Sequence, residues 1–298
     1  MQTYSNFLKT SDGEQIFYST NFPVDFKTEH TDVVLFNYGL VCSNLHWKYQ
    51  LDWFSDRGYK ILFHDYRGHF QSSGRDHLSA ITFERIATDI HELLAHLKIR
   101  TVAAIGHSMG VNVTLEYAHR YPETVKSMIL LSGTIFPVKG VMFDTNFMEF
   151  IIPAAEEIKK RYAEIFHFIW NTQAMNPLTV ELIHSQGFNK KQVSRDFIEV
   201  YMNRLAQLGP DLFMQLFSEM QKHDIIGQLD DLKIPALVMG GDKDRVIPFH
   251  LQHLIKQRLA GSELYLVKDG SHVPQVDFPE LVNERMKLFL AKHGLTGS

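Results

Sequence analysis

The chain has 298 residues, 45% hydrophobic and 21% charged, an ordinary globular balance that can bury a large core without disulfide or metal support. Thirty basic against thirty-four acidic residues give a net charge of −4, which argues against a nucleic-acid binder. The single cysteine, Cys42, excludes an internal disulfide and a cysteine-based zinc cluster.

In chain order, the opening MQTYSNFLKTSDGEQ carries no basic segment followed by an apolar run, so no secretory leader is read there. No stretch of about eighteen apolar residues follows anywhere, so no membrane span is expected, and the chain reads as cytoplasmic. Two mildly alternating stretches flank Asp12-Gly13 and predict an antiparallel hairpin at one sheet edge. Six short, nearly continuous apolar runs come next: 32–37 (DVVLFN), 60–65 (KILFHD), 101–106 (TVAAIG), 127–132 (SMILLS), 236–240 (ALVMG) and 263–267 (ELYLV). Such runs suit strands buried on both faces of a parallel sheet. Residues 82–97 place Phe83, Ile86, Ala87, Ile90, Leu93, Leu94 and Leu97 at helical spacing, with Glu84, Asp89 and Glu92 between them. Strand alternating with helix predicts a doubly wound, mostly parallel α/β sheet, eight-stranded with the hairpin included.

One interval breaks the rhythm. Between residues 132 and 236 lies far more chain than the dozen or so residues a crossover needs. The surplus is helix-rich and aromatic, with Phe143, Phe147, Phe150, Phe166, Phe168, Trp170, Phe188, Phe197, Tyr201, Phe213 and Phe217. Residues 134–227 therefore read as a helical cap inserted after the sixth strand, and residues 1–133 with 228–298 as the core. Either these aromatics fill a helical core, or some line an apolar pocket over the C-terminal strand ends, where such sheets bind ligands.

The sharpest signal is Gly106-His107-Ser108-Met109-Gly110, between the run 101–106 and a helical stretch at 111–120. Gly-x-Ser-x-Gly between strand and helix is a nucleophile elbow. The turn is tight, so the positions two before and two after the serine must lack bulk. The serine then stands at a helix N-terminus, where partial positive charge favours a developing anion.

A serine hydroxyl is a weak nucleophile until a base takes its proton and a third group orients the base. The expected chain order is serine, acid, histidine. Sixteen histidines cannot be sorted by type, but His272 lies in DGSHVP, directly after the last apolar run, at the C-terminal edge of the sheet. For the acid, two aspartates share the loop GGDKDRVIP after the run 236–240. Asp244 lies deeper and has room to reach a histidine on the neighbouring loop. Asp242 is the alternative, placed to cap or brace the turn.

Ser108, Asp244 and His272, in this order and on these loops, resemble the α/β-hydrolase superfamily, and within it the capped esterase, bromoperoxidase-like and lipase-like members. The resemblance extends over nearly the whole chain outside the cap. Residues 65–72 (DYRGHFQS) are similar to the family loop Asp-x-Arg-Gly-x-Gly-x-Ser, with Phe70 where the family usually has glycine. The approach 229–235 to ALVMGGDKD looks like the family's Leu-x-x-Ile-x-x-Pro segment.

Acyl transfer also needs two N–H donors for the oxygen that gains charge. The residue after the nucleophile, Met109, supplies one. The family has His-Gly before the second donor; here the sequence is Tyr38-Gly39, and Leu40 matches the donor. Tyr38 itself either packs or touches substrate, its phenol adding a hydrogen bond to a substrate oxygen.

Weaker candidates remain. Cys42 is either a reactive thiol or packing, and His107 braces the elbow. His46, His69, His167, His184 and His223 are further candidates for substrate contact. His250 and His253 read as a solvated helix face. Neither a His-Glu-x-x-His pattern nor a glycine-rich phosphate loop occurs, so no metal and no cofactor are expected.

The resulting expectation is a serine hydrolase that cleaves carboxylic esters of small to medium apolar substrates through an acyl-enzyme. Diketone C–C hydrolysis, lactone opening, thioester hydrolysis, and acyl transfer or perhydrolysis use the same triad and stay open, as does a non-catalytic ligand receptor. Epoxide and haloalkane hydrolysis on this fold normally need an aspartate at the elbow, so Ser108 argues against both. The expected partner is a small-molecule ester. Oligomeric state stays open, a homo-oligomer included.

Overall fold

The computed structural model describes residues 1–23, 25–26, 32–137, 147–173 and 176–297. Eight strands form one sheet: β1 (Tyr4–Lys9), β2 (Gln15–Thr20), β3 (Val33–Asn37), β4 (Lys60–His64), β5 (Val102–His107), β6 (Val125–Leu131), β7 (Ala236–Gly241) and β8 (Glu263–Val267). Their order across the sheet is β1-β2-β4-β3-β5-β6-β7-β8. The β1–β2 hairpin is antiparallel and joins β4 antiparallel; every pairing from β4 to β8 is parallel. The sequence expectation of a mostly parallel, doubly wound sheet with an edge hairpin is what the chain forms.

Every residue of β3, β5 and β7 is buried. A strand buried on both faces needs cover on both, which is why these runs are continuous rather than alternating. The flanking helices are α1 (Lys48–Ser55), α2 (Phe83–His96) and α3 (Met109–Arg120). Helix α2 starts where Thr82 accepts a hydrogen bond from the Arg85 N–H, an N-cap that satisfies one of the orphan donors of the first turn. Its buried residues Phe83, Ile86, Ala87, Ile90, Leu93 and Leu94 are the stripe read from the spacing.

Among the described residues, five helices lie between β6 and residue 223: α4 (Phe147–Arg161), α5 (Ala163–Gln173), α6 (Pro177–Gly187), α7 (Arg195–Leu208) and α8 (Pro210–Lys222). They form the helical cap after the sixth strand. Helices α9 (Ile226–Leu229), α10 (His250–Arg258), α11 (Pro274–Asp277) and α12 (Pro279–Lys292) complete the chain. Among the aromatics expected in the insertion, Phe143 lies outside the described residues, as do the side chains of Phe147 and Phe150. The cap has a small core of its own, with Val180, Phe188, Val193, Ile198 and Met202 buried beside Val273 and Val276. Hydrogen bonds tie it to the sheet domain: Asn189 Nδ2 donates to the Asp269 carbonyl (2.9 Å) and Arg75 to the Gln207 carbonyl (2.9 Å).

The loop 65–72 is anchored by Arg67, whose guanidinium grips Asp89 of α2 through two bonds of 2.7 Å. Both side chains are buried. Phe70, where the resemblance led to an expectation of glycine, has φ +37°. That is left-handed backbone, which strains a residue bearing a Cβ. Its ring packs near Tyr38 and under the Arg204 guanidinium of α7, 5.1 Å away, which links the loop to the cap.

Candidate active site

Four loops meet at the C-terminal edge of the parallel strands: those after β3, β5, β7 and β8. The strand-to-helix turn after β5 places Ser108 at φ +55°, ψ −123°, directly before α3. This left-handed conformation is the strain an elbow stores. Neither Gly106 nor Gly110 has positive φ; both are needed for space. A Cβ on Gly106 would collide with the Gly110 carbonyl, and one on Gly110 with the Asn37 carbonyl of β3. The elbow thus packs backbone to backbone against the strand that leads to Leu40.

The three residues expected to act together are brought together. His272 Nε2 lies 3.1 Å from Ser108 Oγ, and His272 Nδ1 lies 3.0 Å from Asp244 Oδ2. Asp244 Oδ1 accepts the N–H groups of Val246 (2.9 Å) and Ile247 (2.8 Å), which fixes the carboxylate plane. Asp244 is nearly sealed from solvent, and His272 is 13% exposed on the cavity side. Asp242 is turned outward: its carboxylate stands beside Lys243 at 3.6 Å, away from His272. Of the two aspartates, Asp244 is the one within hydrogen-bond distance of His272.

Two further groups hold the histidine loop, His107 and, not singled out in the sequence, Asp277. His107 Nε2 makes a 2.8 Å hydrogen bond with the His272 carbonyl, so it braces the base's loop rather than the elbow alone. Asp277 Oδ2 accepts the Ser271 N–H at 2.6 Å. Burial pushes the Asp277 carboxyl above its ordinary range. Asp277 follows Pro274 in a four-residue helix, and nothing in its spacing separates it from a surface aspartate.

The Leu40 and Met109 backbones flank Ser108. Met109 opens α3, so its N–H belongs to the first turn, which has no intrahelical acceptor. Leu40 lines the cavity above the serine. A Cβ on Gly39 would stand 2.9 Å from Ser108 Cβ, which measures how closely this loop approaches the elbow.

Tyr38 requires a correction. It is fully buried, and its phenol oxygen accepts the Tyr66 N–H at 3.1 Å. Its ring stacks among Tyr66, His69 and Phe70. The side chain turns away from the cavity into the loop 65–72, so the packing alternative describes it and substrate contact does not. The Cys42 thiol does border the cavity, but burial pushes it up to about 12, leaving it protonated and a poor nucleophile. Among the weaker histidines, His223 binds Glu116 (3.0 Å), His167 binds Asp211 (3.1 Å), and His184 meets the Val193 carbonyl (3.2 Å). His69 meets the Arg67 carbonyl (3.1 Å), and His46 packs under Tyr201. None of the five lines the cavity. His250 and His253 are exposed, as expected of a solvated face.

The cavity over Ser108 has a volume of about 460 Å³ and is lined mainly by apolar side chains. Of the described aromatic positions in the insertion, Trp170, Phe188, Tyr201 and Phe213 reach it. Val246 and Ile247, on the Asp244 loop, close another side. Among the described residues no cluster of histidine, cysteine and carboxylate side chains could hold a metal ion. No described helix is long and apolar enough to cross a membrane.

Comparison with known proteins bears on the fold and the family. A family model described as alpha/beta hydrolase fold matches residues 32–279. Protein ABHD8 of Mus musculus is 27% identical over 269 residues, which is 89% of this chain but 56% of that protein. The chain thus spans just over half the length of this relative. The bifunctional esterase/perhydrolase DCH of Acinetobacter calcoaceticus is 23% identical over 280 residues, 92% of each chain. An esterase from Exiguobacterium antarcticum has the same fold, with a TM-score of 0.78 at 20% identity, covering 97% of this chain and 100% of the other. A sheet of this order, closed by a serine elbow and an inserted helical cap, has its match in sequence as well as in shape: the chain belongs to the alpha/beta hydrolase fold family.

Proposed function

We propose that the protein is a serine hydrolase that cleaves carboxylic esters of small to medium apolar substrates. The observation that carries this reading is the unbroken hydrogen-bonded chain Ser108–His272–Asp244 at the floor of an apolar cavity. The Ser108 Oγ attacks the acyl carbon as its proton passes to His272 Nε2. Asp244 accepts the His272 Nδ1–H, fixes the tautomer and stabilises the imidazolium that forms. The N–H groups of Leu40 and Met109 hold the oxyanion. Protonated His272 then gives its proton to the leaving alkoxide, which departs as the alcohol. Water, deprotonated by His272, attacks the acyl-enzyme, and the acid leaves as Ser108 recovers its proton.

Residues 134–227 act as the cap over this cavity, and residues 1–133 with 228–298 as the catalytic core. The cavity size and lining favour an acyl or alcohol group of modest length without charge. The names of two relatives, an esterase/perhydrolase and an esterase, agree with acyl chemistry on this scaffold.

A graded series of p-nitrophenyl esters tests the reading. Turnover of short to medium esters by the wild type, lost by about ten-thousandfold or more in Ser108→Ala, is expected. Turnover of thioesters, lactones or diketones with none of the esters would reassign the substrate class. Full activity in Ser108→Ala would remove the elbow from the chemistry.

A further inference from the structure

An apolar cavity makes each polar atom on its wall conspicuous. Most of those around Ser108 are accounted for. Ser108 Oγ and His272 Nε2 hold each other, and the Trp170 indole N–H donates to the Leu205 carbonyl at 3.4 Å. The Cys42 thiol stays neutral. Tyr201 of α7 is left over. It lines the cavity, and among the described residues no hydrogen bond engages its hydroxyl. Nor is the oxygen walled off, as the unpartnered Tyr18 hydroxyl is.

Packing fixes where this phenol stands. Its ring meets His46 edge to face at 5.3 Å and Phe188 at 5.3 Å. Its electrostatic neighbour is Cys42, two residues beyond Leu40, so it stands on the side of Ser108 where the loop after β3 runs. Burial holds the phenol protonated, so it is a hydrogen-bond donor at every working pH. Leu40 and Met109 already serve the scissile oxygen in the reading above. A purely hydrocarbon ligand would strip water from the Tyr201 hydroxyl and return nothing, a loss worth about tenfold or more in affinity.

We infer that Tyr201 is a specificity-determining residue whose hydroxyl donates a hydrogen bond to a second oxygen of the substrate, an ether or ketone acceptor apart from the scissile carbonyl. The preferred ester then carries one such oxygen in an otherwise hydrocarbon chain. This inference rests on the serine-hydrolase reading.

The test pairs p-nitrophenyl esters of equal chain length, one all-methylene and others with a single ketone or ether oxygen moved along the acyl or alcohol part. In the wild type one oxygen position should raise kcat/KM about tenfold or more over its hydrocarbon partner. Tyr201→Phe keeps the ring contacts and should abolish that ratio, with the change in KM rather than kcat. A wild type without preference at any position overturns the inference, and needs no variant. So does a Tyr201→Phe enzyme that keeps the preference, or one that loses all esters in equal proportion, which would make the phenol a general support for the oxyanion. Covalent labelling of Ser108 by a fluorophosphonate, run alongside, separates the two failures. A labelled enzyme without the preference loses only the Tyr201 role; an unlabelled, folded enzyme loses the serine-hydrolase reading itself.

Discussion

Acid should unfold this protein early and steeply, because four histidines are buried with no carboxylate partner among the described residues. His46, His64, His69 and His107 are each 2% exposed or less. Burial holds His46 and His69 at about 4, His64 at about 3, and His107 well below the ordinary value. In the unfolded chain each titrates near 6.5. As pH falls below about 6.5 the unfolded state takes up four protons that the folded state refuses, so stability falls with pH. Asp65 works the other way: burial pushes it up to about 6, and below that the folded state binds a proton the unfolded chain does not. The buried carboxyls Asp89 and Asp277, and the half-buried Glu219, are raised too and act in the same sense as Asp65 nearer their ordinary range. Around pH 5.5 the net uptake on unfolding is about three protons, a slope of about 4 kcal/mol per pH unit. From pH 6.5 to 4 that slope removes about 10 kcal/mol, enough to exhaust all but the upper part of a usual total stability of about 5–15 kcal/mol. Urea unfolding between pH 8 and 4 measures this, with a flat region above pH 7 and a steep fall below 6.5. His69→Gln should lower the slope by about 1.4 kcal/mol per pH unit. Stability that stays level from pH 7 down to 5 would refute the buried neutral state of these rings.

Asp244→Asn should lower kcat on esters by about a thousandfold or more, since the amide presents the wrong hydrogen-bonding pattern to His272 Nδ1. Asp242→Asn should stay within about twofold, and the reverse ranking would reassign the acid. Gly110→Ala drives a methyl into the Asn37 carbonyl and displaces the loop that carries Leu40; kcat should fall about a hundredfold with a smaller change in KM, and an unchanged kcat would detach that loop from the oxyanion. Removing one partner of the buried Arg67–Asp89 pair, as in Asp89→Ala, should cost about 3–5 kcal/mol in urea unfolding. A loss below about 1 kcal/mol would mean the pair is dispensable.

The middle of the sheet was legible because β3, β5 and β7 are buried on both faces, so their runs are apolar without alternation. The elbow was legible because its glycines answer a packing demand, the carbonyls of Gly110 and Asn37, that no other residue meets. Loop position placed Asp244 and His272 at one sheet edge, since both follow recognisable strands, and the structure sets them 3.0 Å apart. Tyr38 could not, because the direction of a side chain at a strand end depends on a partner far along the chain, here the Tyr66 N–H. The cap aromatics failed to sort for a similar reason. Phe168 is 69% exposed, Phe217 is buried in the main core, and Tyr201 faces the cavity. Their common helical periodicity says nothing of which neighbour each helix face meets. Phe70 at positive φ shows the same limit in the backbone: the departure from glycine was visible, but its strain and its contact with Arg204 were not.

An activated serine at the elbow is the claim on which the chemistry stands. Intact-mass analysis after exposure to a fluorophosphonate, with wild type beside Ser108→Ala, tests it most directly. One adduct on the wild type and none on the variant is the expected result. A folded wild type that takes no adduct, or a variant that takes the same one, would contradict it.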